Sequence, residues 1–135
     1  MELSPELRAL LEQKVYGHVV TQNRDGSPQV TMVWMDVHDG KAAFNTNSAR
    51  QKARNLKRNP RVMVSVQSPD NPQQYALLVG TATVTEAGAV EHINAISNKF
   101  TGHDYANFQP GEVRVSVDID LEEVRGAGPW VTPRA

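Results

Sequence analysis

The chain has 135 residues, contains no cysteine, and balances 14 Lys and Arg against 15 Asp and Glu for a formal net charge of -1. This length predicts one domain with a single core, and the lack of cysteine excludes a disulfide framework, a thiol nucleophile and Cys-ligated metal centres. The balanced charge argues against a general nucleic-acid binder, and because there is no signal-peptide pattern and no apolar run of about 20 residues, we expect a cytoplasmic protein without membrane contact.

The first part of the chain predicts a helix followed by a three-stranded meander. Ser4 and Pro5 are typical of a helix start, and leucines at helical spacing follow them. Three segments rich in β-branched and aromatic residues, separated by turn-type clusters, are 16–22, 29–37 and 42–46. We expect these segments to be consecutive antiparallel strands.

The basic segment, residues 45–61, is the most informative part of the sequence. It holds six cations and no acidic residue: Arg50, Lys52, Arg54, Lys57, Arg58 and Arg61. Ser48 and Gln51 have the spacing of a capping box, so we expect a helix that begins here and carries Arg50 in its first turn. Cations at a helix N-terminus are unfavourable unless an anion is bound, so the pattern favours a phosphate clamp over a solvated surface helix.

The second half of the chain predicts three more strands and one more helix. Segment 61–67 alternates, with Val62, Val64 and Val66 on one face, and Gly80 in segment 75–85 indicates a bulge or a close backbone approach. The remaining expected elements are a helix over 86–100, a strand over 113–121 and an irregular tail over 126–135. Six strands with antiparallel connections and flanking helices predict a small α+β barrel, in a single domain spanning 1–135.

Motifs for metal, nucleophilic and nucleotide chemistry are missing from the sequence. The four histidines, none with a second ligand two to four residues downstream, are His18, His38, His92 and His103, so we expect no metal site. There is no G-x-S-x-G, no G-x-G-x-x-G and no P-loop. Trp34, in a strand, is either core or a wall against a flat ligand. Trp130, in a Gly-rich tail, is either a plug at the barrel end, a dimer contact or a wall of the active site.

Three pieces of the sequence resemble the flavin and deazaflavin oxidoreductases that have a pyridoxamine-phosphate-oxidase-like split β-barrel. These pieces are 25–30 leading into the second strand, the Phe-Asn-Thr-Asn run at 44–47, and the K-x-R-N-L-x-x-N-P element at 52–60. Within that superfamily the chain is most similar to the branch that uses the deazaflavin coenzyme F420. The resemblance implies a homodimer of six-stranded antiparallel split β-barrels, with the cofactor lying across the interface.

The resemblance also implies which residues bind the cofactor. Those that hold its phosphate are Arg50, Lys52, Arg54 and Asn55, preceded by Asn45, Thr46, Asn47 and Ser48. Those that pass along its tricyclic ring are Gln29, Val30, Thr31, Met32, Val33 and Trp34. Tyr75, Leu77 and Trp130 are candidates to face the cofactor of the partner chain.

The expected function is a reductase that transfers a hydride from reduced coenzyme F420 to an unsaturated or quinone-like small molecule. Because the cofactor supplies such chemistry, the missing catalytic motifs agree with this expectation. Six clustered cations suit the phosphodiester and glutamate carboxylates of F420 better than the single phosphate of FMN. An FMN-dependent oxidoreductase and a non-catalytic F420 carrier are the alternatives, and a nucleic-acid module is disfavoured because the basic segment lacks interleaved aromatics. No catalytic residue is identified, and Tyr75, His103 and Tyr105 are proton-donor candidates by chemistry alone.

Overall fold

The computed structural model describes residues 1–131 and shows three helices and seven strands in that part of the chain. The helices are α1 (Pro5–Glu12), α2 (Gln51–Arg58) and α3 (Ala89–Thr101). The strands are β1 (Tyr16–Gln22), β2 (Pro28–Trp34), β3 (Asp36–His38), β4 (Lys41–Asn47), β5 (Arg61–Gln67), β6 (Tyr75–Thr85) and β7 (Arg114–Ala127). Over the described residues, no helix has the length and apolar character that crossing a membrane requires.

All seven strands belong to one antiparallel sheet in the order β2-β1-β5-β6-β7-β4-β3. The sheet curls into a half-barrel, which brings the edge strand β2 close to β4. This architecture agrees with the expected α+β class and split-barrel outline. The strand count differs, because the described residues form seven strands rather than six.

The additional strand arises because the expected strand over 29–37 is divided at Met35. The Met35 N–H donates to the Val15 carbonyl at 3.0 Å, and the Met35 carbonyl accepts from Lys99 Nζ at 2.7 Å. Both backbone groups of Met35 are thus bonded outside the sheet. β2 therefore ends before Met35, and pairing with β4 begins only in β3.

The hydrophobic core fills the inside of the curled sheet. Val62, Val64 and Val66 of β5 are buried, which confirms the alternation predicted for that strand. The Ser4 hydroxyl caps α1 by accepting from the Leu7 N–H at 3.1 Å, and the leucines of α1 pack into the same core. Each fully buried large apolar side chain contributes about 1.5–3 kcal/mol, so the inner faces of the strands and α1 stabilise the scaffold that carries the site.

Gly80 lies where β6 and β7 shift register, which confirms the close approach expected at this residue. The shift falls between Val79 and Gly80, and a Cβ built on Gly80 would come within 2.2 Å of the Asp120 carbonyl oxygen. Any side chain here would therefore push the two strands apart.

β7 is longer than the sequence pattern predicted. It runs to Ala127 instead of ending near Leu121, because β6 continues to pair with it up to the partners Tyr75 and Ala127. The expected irregular tail therefore begins two residues late, after Ala127, and its last part, 132–135, lies outside the described residues.

Helix α3 covers the outer face of β4 and β7. Gly88 and Gly102 flank it with φ angles of 76° and 81°, in the left-handed region that favours glycine. The helix therefore starts at Ala89, three residues later than predicted. Its inward face is polar as well as apolar, and this polar layer reaches the candidate site.

Candidate functional site

The candidate site is a cavity of about 340 Å³ between β2, the start of α2, and α3, referred to below as the cavity. Its apolar and aromatic wall consists of Tyr16, Met32, Val33, Trp34, Ile93 and Ile96. Its polar wall includes Asn45, Thr46, Arg50, Lys52 and Arg114, and the loop after α3 adds Tyr105 and Asn107. An apolar slot next to a cluster of cations suits a ligand that has a flat apolar part and an anionic part.

The start of α2 is built differently from the expected capping box. The Asn47 side-chain oxygen accepts the N–H groups of Ala49 and Arg50, both at 3.1 Å, and Arg50 itself occupies the N-cap position. No side chain caps the helix, and the Gln51 side chain bonds within α2 instead of to Ser48. The capping-box prediction is therefore wrong, because Asn47 at the end of β4 forms a turn that takes up the N–H groups first.

Lys52 is the most unusual residue of the cavity. Its side chain points from α2 into the cavity wall, the residue is only 7% exposed, and no hydrogen bond or ion pair holds it within the described residues. Burial lowers the pKa of the Lys52 ammonium, and the nearby cations Arg50 and Arg114 lower it further. A buried cation next to two more cations is costly for the free protein, so the arrangement favours a bound anion.

Arg114 is the third cation of the cavity and, unlike Lys52, is held on several sides. Its Nε donates to Asn45 Oδ1 at 2.9 Å, one of its terminal nitrogens pairs with Glu112 Oε1 at 2.8 Å, and its guanidinium lies 4.9 Å from the centre of the Tyr105 ring. Glu112 also accepts from Asn47 Nδ2 at 3.1 Å. Burial raises the pKa of Glu112, but hydrogen bonds from the Gln109 backbone, Arg114 and Asn47 lower it overall. The carboxylate is therefore ionised and fixes Arg114 against the wall.

The sequence analysis missed Arg114 and Glu112. They stand at the junction of a loop and β7, more than fifty residues after the basic segment, and only the pairing of β7 with β4 brings them to the cavity. No local pattern in the sequence marks them.

The six cations of the basic segment do not converge. Arg50 and Lys52 line the cavity, whereas Arg54 and Lys57 are exposed on α2. Arg58 donates to the Gln22 carbonyl on β1, and Arg61 pairs with Glu122 on β7 at 2.9 Å. In the single chain, therefore, the phosphate clamp does not extend along the whole basic segment.

Asn55 has a packing position rather than a place in the cavity. It is fully buried and donates to Thr21 Oγ1 at 3.0 Å and to Asn23 Oδ1 at 2.9 Å, while accepting from Gln51. These bonds tie α2 to the end of β1. Of the residues that lead into α2, Asn45 and Thr46 line the cavity, and Asn47 and Ser48 lie beside it without lining it.

The residues of β2 divide between the two faces of an edge strand. Val30 and Met32 are 57% and 60% exposed on the outer face, whereas the Thr31 hydroxyl is buried without a partner in the described residues. Gln29 is bonded to Thr21, and of the six candidates on this strand Met32, Val33 and Trp34 line the cavity. Because β2 pairs only with β1, its other backbone edge is open in the described sheet and follows the cavity.

Trp34 forms part of a small aromatic group at the mouth of the cavity. It stacks on Phe100 of α3 with a centroid distance of 4.8 Å and an interplanar angle of 11°. Tyr16 contacts the same Phe100 ring edge-on at 5.8 Å. Trp34 packs on α3 and lines the cavity but is not part of the buried core, so its interpretation as a wall against a flat ligand stays a prediction.

Tyr75 and Trp130 lie away from the cavity. Trp130 is 8% exposed, and its Nε1 donates to the Tyr75 carbonyl at 2.8 Å. Trp130 borders a larger groove of about 620 Å³ near the N-terminus, whose rim includes Glu2 and Glu122 and therefore does not suit an anion. Of the three proton-donor candidates, only Tyr105 lines the cavity.

A buried histidine, His92 of α3, lies directly behind the polar wall. It is 4% exposed, its Nδ1 is 2.7 Å from Ser116 Oγ and 3.3 Å from Asn45 Nδ2, and its ring stacks on His38 at 4.1 Å. Burial and then the neighbouring His38 lower the pKa of His92 from 6.5 to about 4, against the opposite effect of Asp118. His92 is therefore neutral at pH 7.

One group of possible metal-binding side chains is not apparent from the spacing of the histidines in the sequence. His38, Asp39 and Asp118 have side-chain donor atoms within 4.8 Å of one another. The hydrogen bond from His38 Nδ1 to Asp118 at 2.9 Å accounts for the closest of these approaches. This group is separated from the cavity by His92.

Comparisons with known proteins agree with this fold and extend over the cavity. A family model described as pyridoxamine 5'-phosphate oxidase matches residues 3–127. A solved structure named F420 Reductase is 30% identical, with a TM-score of 0.75, and the match covers 87% of this chain and 94% of that chain. A conserved hypothetical protein from Mycobacterium tuberculosis is 27% identical, with a TM-score of 0.76 and coverage of 92% of this chain and 84% of that one. A pyridoxamine 5'-phosphate oxidase-related, FMN binding protein from Nostoc punctiforme, at 12% identity and TM-score 0.62 over 87% of this chain and 75% of that chain, shares the fold alone.

Proposed function

Because the chain belongs to the pyridoxamine 5'-phosphate oxidase family, we propose that it is an oxidoreductase that uses coenzyme F420 to reduce a small organic molecule. The acceptor would be an unsaturated or quinone-like compound. The buried, unpaired ammonium of Lys52 at the cationic end of an apolar cavity is the observation that carries this proposal.

The residues of the cavity fit a cofactor of this kind. Lys52, Arg50 and Arg114 supply the positive charge that a phosphate group needs, and Lys52 has no competing acceptor in the described residues. The open edge of β2 and the side chain of Trp34 provide a flat wall with free backbone groups for a planar ring. When bound, reduced F420 supplies the hydride.

The protein itself would contribute binding, orientation and exclusion of water. Lys52 and Arg50 hold the phosphate, and the bonds to Asn45 and Glu112 keep Arg114 in place. Ile93 and Ile96 of α3 close the apolar side of the cavity against water. Tyr105, on the loop after α3, lines the cavity and would be the proton donor to the reduced substrate.

FMN remains the second candidate cofactor, because the protein from Nostoc punctiforme that shares this fold is an FMN binding protein. The preference for F420 that came from six clustered cations is weaker in the structure, since three cations line the cavity and one of them is already paired with Glu112. F420 is now supported by the 30% identity to the structure named F420 Reductase. A non-catalytic F420 carrier is the third candidate, and tight binding without turnover of any acceptor would identify it.

We propose that two copies of the chain pair through the outer face of β2, β1 and β5. Strand pairing aligns Val30 with Val20 and Met63 on this face, and Met63 is 37% exposed. Such an apolar surface favours a protein contact. Because Met32 lies both on this face and in the cavity wall, a second copy would complete the cavity.

The pairing is tested by sedimentation experiments. Met63→Glu should convert a dimer to a monomer, whereas Val90→Glu, at an exposed valine of α3, should not. A wild-type monomer would refute the pairing.

The cofactor proposal is tested by titrating the purified protein with oxidised F420 and with FMN while following cofactor fluorescence. Arg50→Ala should weaken F420 binding by at least about tenfold, which is about 1.4 kcal/mol. Lys57→Ala is the matched control, because Lys57 is an exposed cation on the same helix that does not line the cavity. Binding of FMN alone would transfer the proposal to FMN, and binding of neither cofactor would remove it.

A further inference from the structure

We infer that His92 is a positioning residue: its neutral ring orients the Asn45 amide, and Asn45 holds the Arg114 guanidinium against the cofactor site. This inference rests on the proposed function, because it concerns the same cavity. His92 itself does not line the cavity, so it would act only through Asn45.

The hydrogen bonds fix the orientation of the Asn45 amide. Arg114 Nε is a donor only, so the atom of Asn45 that faces it at 2.9 Å must be the oxygen. Asn45 Nδ2 then faces two acceptors, the Ala89 carbonyl at 2.8 Å and His92 Nδ1 at 3.3 Å. The Asn45, His92, Ala89 and Arg114 residues are all buried. A rotated Asn45 amide would therefore leave Arg114 Nε without an acceptor.

The same bonds define the form of the His92 ring. Asn45 Nδ2 can only donate, so the nearby Nδ1 accepts and carries no proton, and the Ser116 hydroxyl, which can donate or accept, then donates to Nδ1 as well. The proton of the neutral ring is then on Nε2, which is buried without a partner in the described residues. Burial and then the His38 ring favour this uncharged state, against the smaller opposite effects of Asp118, Asp36 and Asp39. A proton on Nδ1 would face the Asn45 amide hydrogens and disturb the chain of bonds to Arg114.

The first test is made on the protein without cofactor, by NMR. His92 should be the Nε2–H tautomer, and the Arg114 Nε–H should exchange slowly with solvent. The leucine of His92→Leu fills a volume similar to that of the imidazole but offers no hydrogen-bond acceptor. In this variant the Arg114 Nε–H should exchange about tenfold faster or more, as expected for loss of a buried hydrogen bond. A His92 ring with its proton on Nδ1 would overturn the inference even if the variant failed to fold.

The second test is the dissociation constant of F420. His92→Leu should raise it about 3- to 10-fold, whereas His92→Gln, whose amide oxygen can accept from Asn45, should restore it to within about twofold. Ser116→Ala is the control, because it removes a competitor for His92 Nδ1 and should not weaken binding.

The outcomes separate this inference from the proposed function. Folded His92→Leu protein that binds F420 as the wild type does and shows an unchanged Arg114 Nε–H would refute the positioning role. A wild-type protein that binds neither F420 nor FMN would refute the proposed function, while the NMR comparison would still decide whether His92 holds Arg114 through Asn45.

Discussion

Replacing Lys52 with methionine should make the free protein more stable and make it bind its cofactor less well. Methionine keeps most of the volume of the lysine side chain but removes the ammonium group, which is buried, unpaired in the described residues and close to Arg50 and Arg114. Substituting a binding residue whose charge is unfavourable in the empty protein should raise stability and lower affinity. A residue with a purely structural role would lower stability and leave affinity unchanged.

Both magnitudes follow from the position of Lys52. Replacing a whole buried ion pair with apolar groups of similar volume is neutral or stabilising by about 1–4 kcal/mol. Lys52 is a single cation that burial and its cationic neighbours disfavour, so we expect Lys52→Met to stabilise the protein by an amount in the lower half of that range. A charge-assisted hydrogen bond to a phosphate contributes about 1.5–3 kcal/mol, which corresponds to about a 10- to 150-fold loss of affinity. The gross Coulomb energy of about 4 kcal/mol for two unit charges 4 Å apart, at an effective dielectric constant of 20, is an upper bound on this gain, because desolvation of both ions opposes it.

Two measurements on the same samples test this prediction. Urea unfolding of the protein without cofactor gives the change in stability, and fluorescence titration with F420 gives the change in affinity. Lys57→Met, on the exposed side of α2, should change neither by much. If Lys52→Met lowered the free energy of unfolding by more than about 1 kcal/mol and bound F420 normally, Lys52 would not be the anion-binding residue of the cavity.

Three further predictions concern stability. The pKa of His92 is about 4 in the folded protein, below its ordinary value of 6.5, so the unfolded chain takes up a proton first as the pH falls. Stability should therefore decrease by about 3 kcal/mol between pH 6.5 and 4. His92→Gln should lack this part of the pH dependence in urea unfolding, whereas exposed His18→Gln should retain it. Lys99→Met should destabilise the protein by about 2–5 kcal/mol, because Lys99 Nζ bonds two backbone carbonyls and the carboxylate of Asp36; a thermal unfolding midpoint within a degree of wild type would contradict this. Gly80→Ala should cost about 1–3 kcal/mol or more, since the added Cβ meets the Asp120 carbonyl, and unchanged stability would mean that β6 and β7 can separate there at little cost.

Most of the secondary structure was predictable from the sequence, because it depends on patterns within a few residues. The alternation of Val62, Val64 and Val66 predicted one buried face of β5, and Ser4 with Pro5 predicted the start of α1. The basic segment predicted α2, and two of its six cations, Arg50 and Lys52, line the cavity.

Two predictions were wrong for different reasons, one because of a distant partner and one because of a competing local turn. The division of the second strand at Met35 depends on Lys99, which lies 64 residues away and takes the Met35 carbonyl out of the sheet. The capping box did not form because Asn47, at the end of β4, accepts the N–H groups of Ala49 and Arg50 in place of a cap by Ser48. The first event leaves no mark in the neighbouring sequence, whereas the second is a turn between Asn47 and residues two and three positions further on.

The sequence by itself determined the elements and the presence of a cation-rich helix start, since hydrophobic period, turn residues and local charge act over short distances. Only the tertiary structure decided which charges meet. It placed Arg114 and His92 beside Asn45 and Glu112 beside Arg114, turned Arg58 and Arg61 away from the cavity, and left Lys52 buried without an acceptor among the described residues. Strand pairing between β4 and β7 and the packing of α3 on them determine these distances, and electrostatic energy depends on distance in space rather than on separation along the chain.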